Sequence, residues 1–328
     1  MTSRRTVASW RAVGSNDRAP AFRLGLVGAG RMGQTHLRAL ADSRDVAIVA
    51  VCELVDELRE RAVATFGVKG FVALEELLAS QEIDGVLIVT PSDSHVGVIS
   101  QAAAAGFPIL CEKPCGVSPQ DTRKAQEVVS EAKVPLQVAY WRRFVPELQR
   151  LRERIQEGDF GEVLSVSCLQ WDGEPPSAAF RARSGGIFVD MGVHEFDQAR
   201  WLTSSDFTGL TAVASTVVTD PASVGDPDCA QVLASTTSGA TVVVSLGRHY
   251  AGGDMASVEV FGTSQHAMNI FLDPVDGERS QLEALRRQAS SFAEYATGGP
   301  CRGATVEDAV AALDAAASAA AQLVGAHD

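Results

Sequence analysis

From Phe22 onward the chain alternates short apolar runs with stretches whose apolar residues recur at helical spacing. Phe22 to Val27 is an apolar run leading into a glycine cluster; Met32 to Ala41 then has helical spacing, and Val46 to Cys52 is a second apolar run. That is a βαβ unit. Helix is predicted next over Glu57–Phe66, a short strand over Gly70–Val72, helix over Leu74–Ser80 and a strand over Gly85–Thr90 that runs into Pro91. A helix from about His95 to Ala105, the strand Pro108–Cys111, a helix from about Pro119 to Lys133 and the strand Leu136–Ala139 complete this half. Strands alternating with helices of about 10 to 15 residues predict a parallel sheet covered on both faces. Residues 21–139 are thus expected to form a doubly wound α/β domain.

After Tyr140 the texture changes. The pattern predicts a helix from about Pro146 to Glu157, a turn at Gly158 to Gly161, an alternating strand Glu162–Gln170 and a short helix near Asp190–Leu202. Strands follow around Leu210–Val218, Cys229–Thr236, Thr241–Arg248 and Ala256–Phe261, separated by loops rather than helices. Consecutive strands without crossover helices predict an α+β second domain, residues 140–328, with a large, mostly antiparallel sheet. The closing helices, about Gln281–Thr297 and Thr305–Val324, are expected to cover the domain junction.

The length of 328 residues, about twice the ~150-residue prior for one domain, fits this division. Apolar residues at 46%, charged residues at 21% and a mean hydropathy of +0.06 exclude global disorder. With 28 basic against 41 acidic residues, the net charge of −13 and pI near 4.9 disfavour nucleic acid and anionic membrane surfaces, leaving small molecules as the expected partners. No stretch reaches the ~18 apolar residues of a membrane helix. The six cysteines are scattered, fitting neither a zinc knuckle nor a disulfide framework, so no metal is expected and a reducing cytoplasm is the natural setting. Residues 1–20 carry four arginines without an apolar h-region and read as a flexible arm, a transit peptide being the other option.

Gly28-Ala29-Gly30-Arg31-Met32-Gly33 is a G-x-G-x-x-G between an apolar strand and a helix, the context that a dinucleotide fingerprint requires. Its first glycine allows the tight turn, its second lets a pyrophosphate approach the backbone, and its third lets helix and strand pack closely. Glu53, twenty residues past Gly33, can accept hydrogen bonds from ribose hydroxyls and would repel a 2′-phosphate. With no arginine in the five residues after it, NAD is favoured over NADP, although Arg31 offers a phosphate contact. The duller alternative is a glycine turn in an α/β protein that binds no nucleotide.

Glu112-Lys113-Pro114 stands just past a buried strand, at the carboxyl edge where open α/β sheets place ligands. Thr90, Pro91 and His95, at the end of the preceding strand, are expected with Glu112 and Lys113 to line the nicotinamide end, His95 being equally readable as a helix-start residue. In Ser184 to Asp197, a regular helix would set Asp190, His194 and Asp197 at relative angles of about 0°, 40° and −20°, one titratable face. A solvated polar face with Asp190 as a cap is the competing reading. Burial and a neighbouring cation would lower the pKa of Lys113.

The glycine loop, Glu112-Lys113-Pro114 and Ser184-Gly185-Gly186 with Asp190-x-x-x-His194-x-x-Asp197 together resemble the glucose–fructose oxidoreductase/inositol dehydrogenase/rhizopine catabolism (Gfo/Idh/MocA) family over nearly the whole chain from Phe22. Within it, Tyr140-Trp141-Arg142-Arg143-Phe144 and Gly185 to Asp197 look most like inositol 2-dehydrogenases and related cyclitol or sugar enzymes. The resemblance implies a catalytic set of Lys113, Asp190 and His194, with Arg142 and Asp197 as substrate contacts. Trp141, where inositol enzymes often have methionine, and the loop from Trp171 through Asp172 to Pro176 depart from the pattern; Trp141 and Asp172 are further candidate contacts, and packing is the commoner role of a buried tryptophan. Relatives pair through the open face of the second-domain sheet, which implies a dimer or tetramer.

The expected chemistry is oxidation of a ring secondary alcohol, best read as myo- or scyllo-inositol. His194, with an unperturbed pKa of about 6.5, takes the hydroxyl proton, Asp190 orients the imidazole, and Lys113 stabilises the developing alkoxide. Which of Lys113 and His194 takes the proton first stays open, because coupled groups titrate as a pair. A glycoside or anhydrosugar dehydrogenase is the alternative enzyme, and a non-catalytic dinucleotide sensor the alternative outside catalysis.

Overall fold

The computed structural model describes residues 21–218 and 226–324; the expected N-terminal arm, residues 1–20, lies outside the described residues. Six strands, β1 (Phe22–Val27), β2 (Val46–Cys52), β3 (Lys69–Phe71), β4 (Gly85–Ile88), β5 (Ile109–Cys111) and β6 (Leu136–Val138), form a sheet in the order β3-β2-β1-β4-β5-β6. Every pairing in it is parallel. The crossovers are α1 (Arg31–Leu40), α2 (Asp56–Phe66), α3 (Leu74–Ala79), α4 (His95–Ala104) and α5 (Pro119–Ala132). Local chemistry sets their limits: Ser118 accepts from the Asp121 N–H at 3.1 Å with Pro119 at the first helical position, and α2 stops at Gly67, whose φ is +69°. Strand order reverses between β1 and β4, so the crevice of this doubly wound sheet opens above their carboxyl ends.

The second half begins with a tight turn, Trp141–Phe144, and α6 (Pro146–Gln156). After β7 (Val163–Trp171) and α7 (Ala178–Arg181), a π-turn over Phe188–Gly192 runs into α8 (Val193–Thr203). Then come β8 (Phe207–Ser215), β9 (Cys229–Thr236), β10 (Thr241–Gly247), β11 (Met255–Gly262) and β12 (His266–Leu272). These strands form a sheet in the order β12-β11-β7-β10-β9-β8, antiparallel except where β10 runs parallel to β7. The pattern of the sequence did not disclose β12. Its apolar Met268 and Ile270 face outward, 56% and 52% exposed, and Asn269 interrupts the run.

Helices α6 and α8 and the last helix, α10 (Val306–Val324), cover one face of this sheet. On the open face, register aligns Ile270, Ser257, Leu169, Ser245, Gln231 and Val213 in one row across all six strands. Met268, Glu259, Ser167, Val243, Leu233 and Thr211 form the next. α10 lies against α5 and β6 as well as α8 and β8. The preceding helix, α9 (Gly277–Ala296), crosses back onto α1, β2 and β5. There Ala289 and Phe292 are fully buried beside Leu24, Leu26 and Val51, Phe292 meets Phe22 edge-to-face at 6.0 Å, and Arg286 donates to the Ala39 carbonyl at 3.0 Å. No described helix is long and apolar enough to cross a membrane.

Candidate active site

The glycine loop turns between β1 and α1 with the geometry its spacing predicts. Gly28 has φ +99°, and a Cβ there would lie 2.7 Å from the Val89 carbonyl oxygen; a Cβ on Gly33 would lie 2.3 Å from the Gly28 oxygen. A Cβ on Gly30 would meet nothing within 4 Å, so the backbone faces open space there, and the first turn of α1 has no side-chain cap. Uncapped N–H groups beside an open backbone are what a pyrophosphate needs. Arg31 is exposed at the first position of α1, while Met32 packs into the core. The Glu53 carboxylate lies on this loop, accepting from Ala29 N–H at 2.8 Å and Val55 N–H at 2.9 Å. Arg59, six residues on, folds back onto the Glu53 carbonyl at 2.8 Å and onto Asp56, so its charge is already met. These residues fit a dinucleotide whose adenosine ribose lies at Glu53.

At the carboxyl edge, the Lys113 ammonium donates to the main-chain carbonyl of Asp190 at 2.7 Å and stands 3.6 Å from its carboxylate. Two neighbours anchor Lys113 rather than contact a ligand, which corrects the expectations for them. Glu112, 6% exposed, turns into α1, where His36 Nε2 lies 2.7 Å from its carboxylate, and its other oxygen accepts the Lys113 N–H at 3.1 Å. His95 is buried, with Nδ1 2.8 Å from the Pro114 carbonyl and Nε2 2.9 Å from that of Thr90, so neither ring nitrogen is left for a cofactor. Burial pushes its pKa down. Thr90 and Pro91 remain at the crevice edge, Thr90 Oγ1 accepting from Ser94 Oγ at 2.7 Å.

The expected stripe of Asp190, His194 and Asp197 does not form. The wheel presumed 3.6 residues per turn throughout, whereas the π-turn over Phe188–Gly192 widens the helix at Asp190. Asp197, 2% exposed, points into the protein and accepts two hydrogen bonds from Arg143, at 2.9 and 2.6 Å. It is a structural ion pair, not a substrate contact. Nor does Asp190 orient the imidazole: its carboxylate accepts from Arg248 at 2.8 Å. His194 lies edge-on to Tyr140, ring centroids 5.8 Å apart, with Nδ1 sealed and unpartnered. Burial foremost, then the charges of Lys113 and Arg142, pushes its pKa well below the ordinary histidine value, which keeps the ring neutral.

Arg142, 3% exposed, donates to Glu195 and to Gln170, each at 2.5 Å, and Gln170 in turn donates to Asp172 at 3.1 Å. Trp141 is buried against Phe271. Both support the site from behind, which corrects their assignment as direct contacts. Asp172 keeps partial exposure at the end of β7, and burial raises its pKa. Sequence reasoning missed Arg248, whose guanidinium is 1% exposed and meets Asp190, Asp226 and Asp172. A signal existed: Val242, Val244 and Leu246 point inward at period two, and position 248 shares their parity.

A doubly wound sheet with an open glycine loop and a lysine at its carboxyl edge, joined to a second half whose helix α8 sets a neutral histidine beside that lysine, defines a two-domain, dinucleotide-dependent oxidoreductase. Residues 22–140 match the model of the oxidoreductase family with an NAD-binding Rossmann fold, and residues 148–267 that of the GFO/IDH/MocA C-terminal domain. The chain belongs to the Gfo/Idh/MocA family and its first half is an NAD-binding domain. It is 49% identical over 298 residues to the rhizopine catabolism protein MocA of Rhizobium meliloti, covering 91% of this chain and 94% of that protein. Inositol 2-dehydrogenase of Rhizobium meliloti strain 1021 is 35% identical over 74% of this chain and 73% of its own length. Among solved structures, a putative myo-inositol dehydrogenase from Sinorhizobium meliloti 1021 superposes with a TM-score of 0.88 at 31% identity, covering 93% of this chain and 98% of its own.

Proposed function

We propose that the protein oxidises a ring secondary hydroxyl of a cyclitol or sugar, with myo- or scyllo-inositol as the leading substrate, and that Lys113, Asp190 and His194 carry the reaction. The observation that carries this reading is the juxtaposition of the Lys113 ammonium, held on the Asp190 carbonyl, with a histidine kept neutral by burial and by that same ammonium. Its inositol dehydrogenase relatives support the substrate class. Bound NAD supplies the hydride acceptor, and Gly28, Gly30, Gly33 and Glu53 would hold it. Lys113 donates a hydrogen bond to the reacting oxygen and stabilises its developing charge, while neutral His194 accepts the hydroxyl proton. Asp190 positions Lys113 through its main chain, and Asp172, at the rim, accepts from a second ring hydroxyl.

NADH formation by purified protein with a panel of inositols, monosaccharides, anhydrosugars and glycosides tests the reading. Turnover of an inositol with NAD is expected; turnover confined to glycosides or anhydrosugars would replace the substrate, and NADP-only activity would overturn the role of Glu53.

The rows of Ile270 to Val213 and Met268 to Thr211 expose Val213, Leu233, Met268 and Ile270 on one broad sheet face, which supports a homo-oligomer formed through it. Replacing Leu233 by arginine should lower the mass seen in sedimentation; an unchanged mass removes that face from the interface. Six free cysteines support action in a reducing cytoplasm, which fractionation would check.

A further inference from the structure

Arg248 follows the last residue of β10, and its backbone N–H donates to the Asp228 carbonyl at 2.8 Å, which fixes the position of the stem. Its guanidinium forks. Nη1 donates to the Asp190 carboxylate at 2.8 Å and stands 3.8 Å from Asp172, while Nη2 reaches Asp226 at 3.3 Å. A guanidinium stays charged and planar, so it holds the two carboxylates at a set spacing, which an ammonium does not.

The Lys113 ammonium, the nearest other cation to Asp190, takes the main-chain oxygen at 2.7 Å in preference to the carboxylate at 3.6 Å. His194, one α-helical turn along the chain, has no hydrogen bond to Asp190. We propose that Arg248 is a positioning residue of the reaction, whose fork bridges Asp190 and Asp226 and so withholds the Asp190 carboxylate from both Lys113 and His194. The inference rests on the reading that Lys113 and His194 are the reacting pair.

The charges around that pair come from every element packed there. Glu112, at the end of β5, is spent on His36; Arg142, in the turn before α6, is spent on Glu195 of α8; Tyr140 presents a ring edge. Asp172 at the end of β7, Asp190 in the π-turn and Asp226 before β9 are left, and among the described residues Arg248 is the one cation that meets all three. Without it, the Asp190 carboxylate is left with Lys113, 3.6 Å away, as its cation, and Asp172 and Asp226 lose their guanidinium. The Asp190 carboxylate is then drawn to Lys113, and the field at His194 favours the imidazolium, which accepts no proton from substrate.

The test uses the full-length protein with histidine labelled at ring carbons, titrated by NMR, beside NADH formation. In Arg248→Met, the His194 ring should take up its proton at a pH higher than in the wild type by about one unit. The acid limb of kcat/KM for alcohol oxidation should move in the same direction. Arg248→Lys keeps the charge but not the fork: the His194 titration should stay near wild type while kcat falls about tenfold with KM for NAD unchanged. A His194 titration unmoved in folded Arg248→Met overturns the inference, as does full kcat in Arg248→Lys, the variant that decides if the methionine protein does not fold. Should the wild type oxidise no polyol, the substrate reading fails, whereas the NMR titration still decides the role of Arg248.

Discussion

Lys113 binds Asp190 through its backbone: the ammonium lies 2.7 Å from the carbonyl oxygen and 3.6 Å from the nearer carboxylate oxygen. A carbonyl dipole holds the side chain without neutralising it, so the positive charge stays available to an oxygen that becomes negative during reaction.

Lys113→Ala should therefore cost about 10²- to 10³-fold in kcat, the range for removing one preorganised oxyanion donor, while the dissociation constant for NADH stays within a factor of a few. Steady-state kinetics and cofactor fluorescence titration measure the two, and unchanged turnover would remove Lys113 from the mechanism.

His194 is neutral because burial disfavours its charged form and Lys113 and Arg142 oppose it. Its pKa in the folded state lies below the unfolded value of about 6.5, so as pH falls through that value the unfolded chain gains a proton that the native one does not. Stability at this position is present above the unfolded pKa and declines on acidification. In denaturant titrations, His194→Gln should flatten the loss of stability between pH 7 and pH 5 while lowering kcat about 10²- to 10⁴-fold. An equally steep acid loss would place the sensitivity elsewhere.

The roles of the second and third glycines of the loop separate by substitution. A methyl group at Gly30 meets open space, whereas one at Gly33 falls 2.3 Å from the Gly28 oxygen. Gly30→Ala should melt like the wild type and bind NADH weakly; Gly33→Ala should lose thermal stability even without nucleotide. Scanning calorimetry with and without NADH distinguishes them, and normal NADH affinity in Gly30→Ala would refute the proposed pyrophosphate cradle.

Asp197 is a partner of Arg143 inside the protein, and Arg143 also meets Asp308 at 3.1 Å. Removing Asp197 takes away the bidentate partner and leaves the buried Arg143 to Asp308 alone, so Asp197→Ala should destabilise by about 3 kcal/mol, the lower end of the range for breaking a buried pair. Urea unfolding reads this directly; a loss of substrate affinity with stability intact would instead restore Asp197 to the binding site.

The first half of the chain was readable almost element by element because parallel strands buried on both faces appear as unbroken apolar runs, and the glycine spacing follows from backbone contact alone. Lys113 was readable for the same reason, since a strand end in such a sheet has one address. The stripe failed because a single π-turn, invisible to a wheel of fixed period, shifts Asp190 relative to α8, and because Asp197 is taken by Arg143, a partner 54 residues away. Arg142, Glu112 and His95 have the composition of ligand-binding groups, but they are engaged by Glu195, by His36 and by the carbonyls of Thr90 and Pro114, partners that residue type does not announce. Strand β12 was hidden because its apolar side chains serve the open face, where a single chain gives them nothing to pack against.

Helix α9 sits with Phe292 and Ala289 sealed among Leu24, Leu26 and Val51, more than 200 residues away in the chain. The line drawn by the two family models, near residue 140, is therefore not a seam along which the molecule separates. An isolated fragment of residues 21–139 would present to water the groove that α9 fills. Physically, the cofactor half is finished only when the last fifth of the chain arrives, so what reads as two modules is indivisible in its assembly.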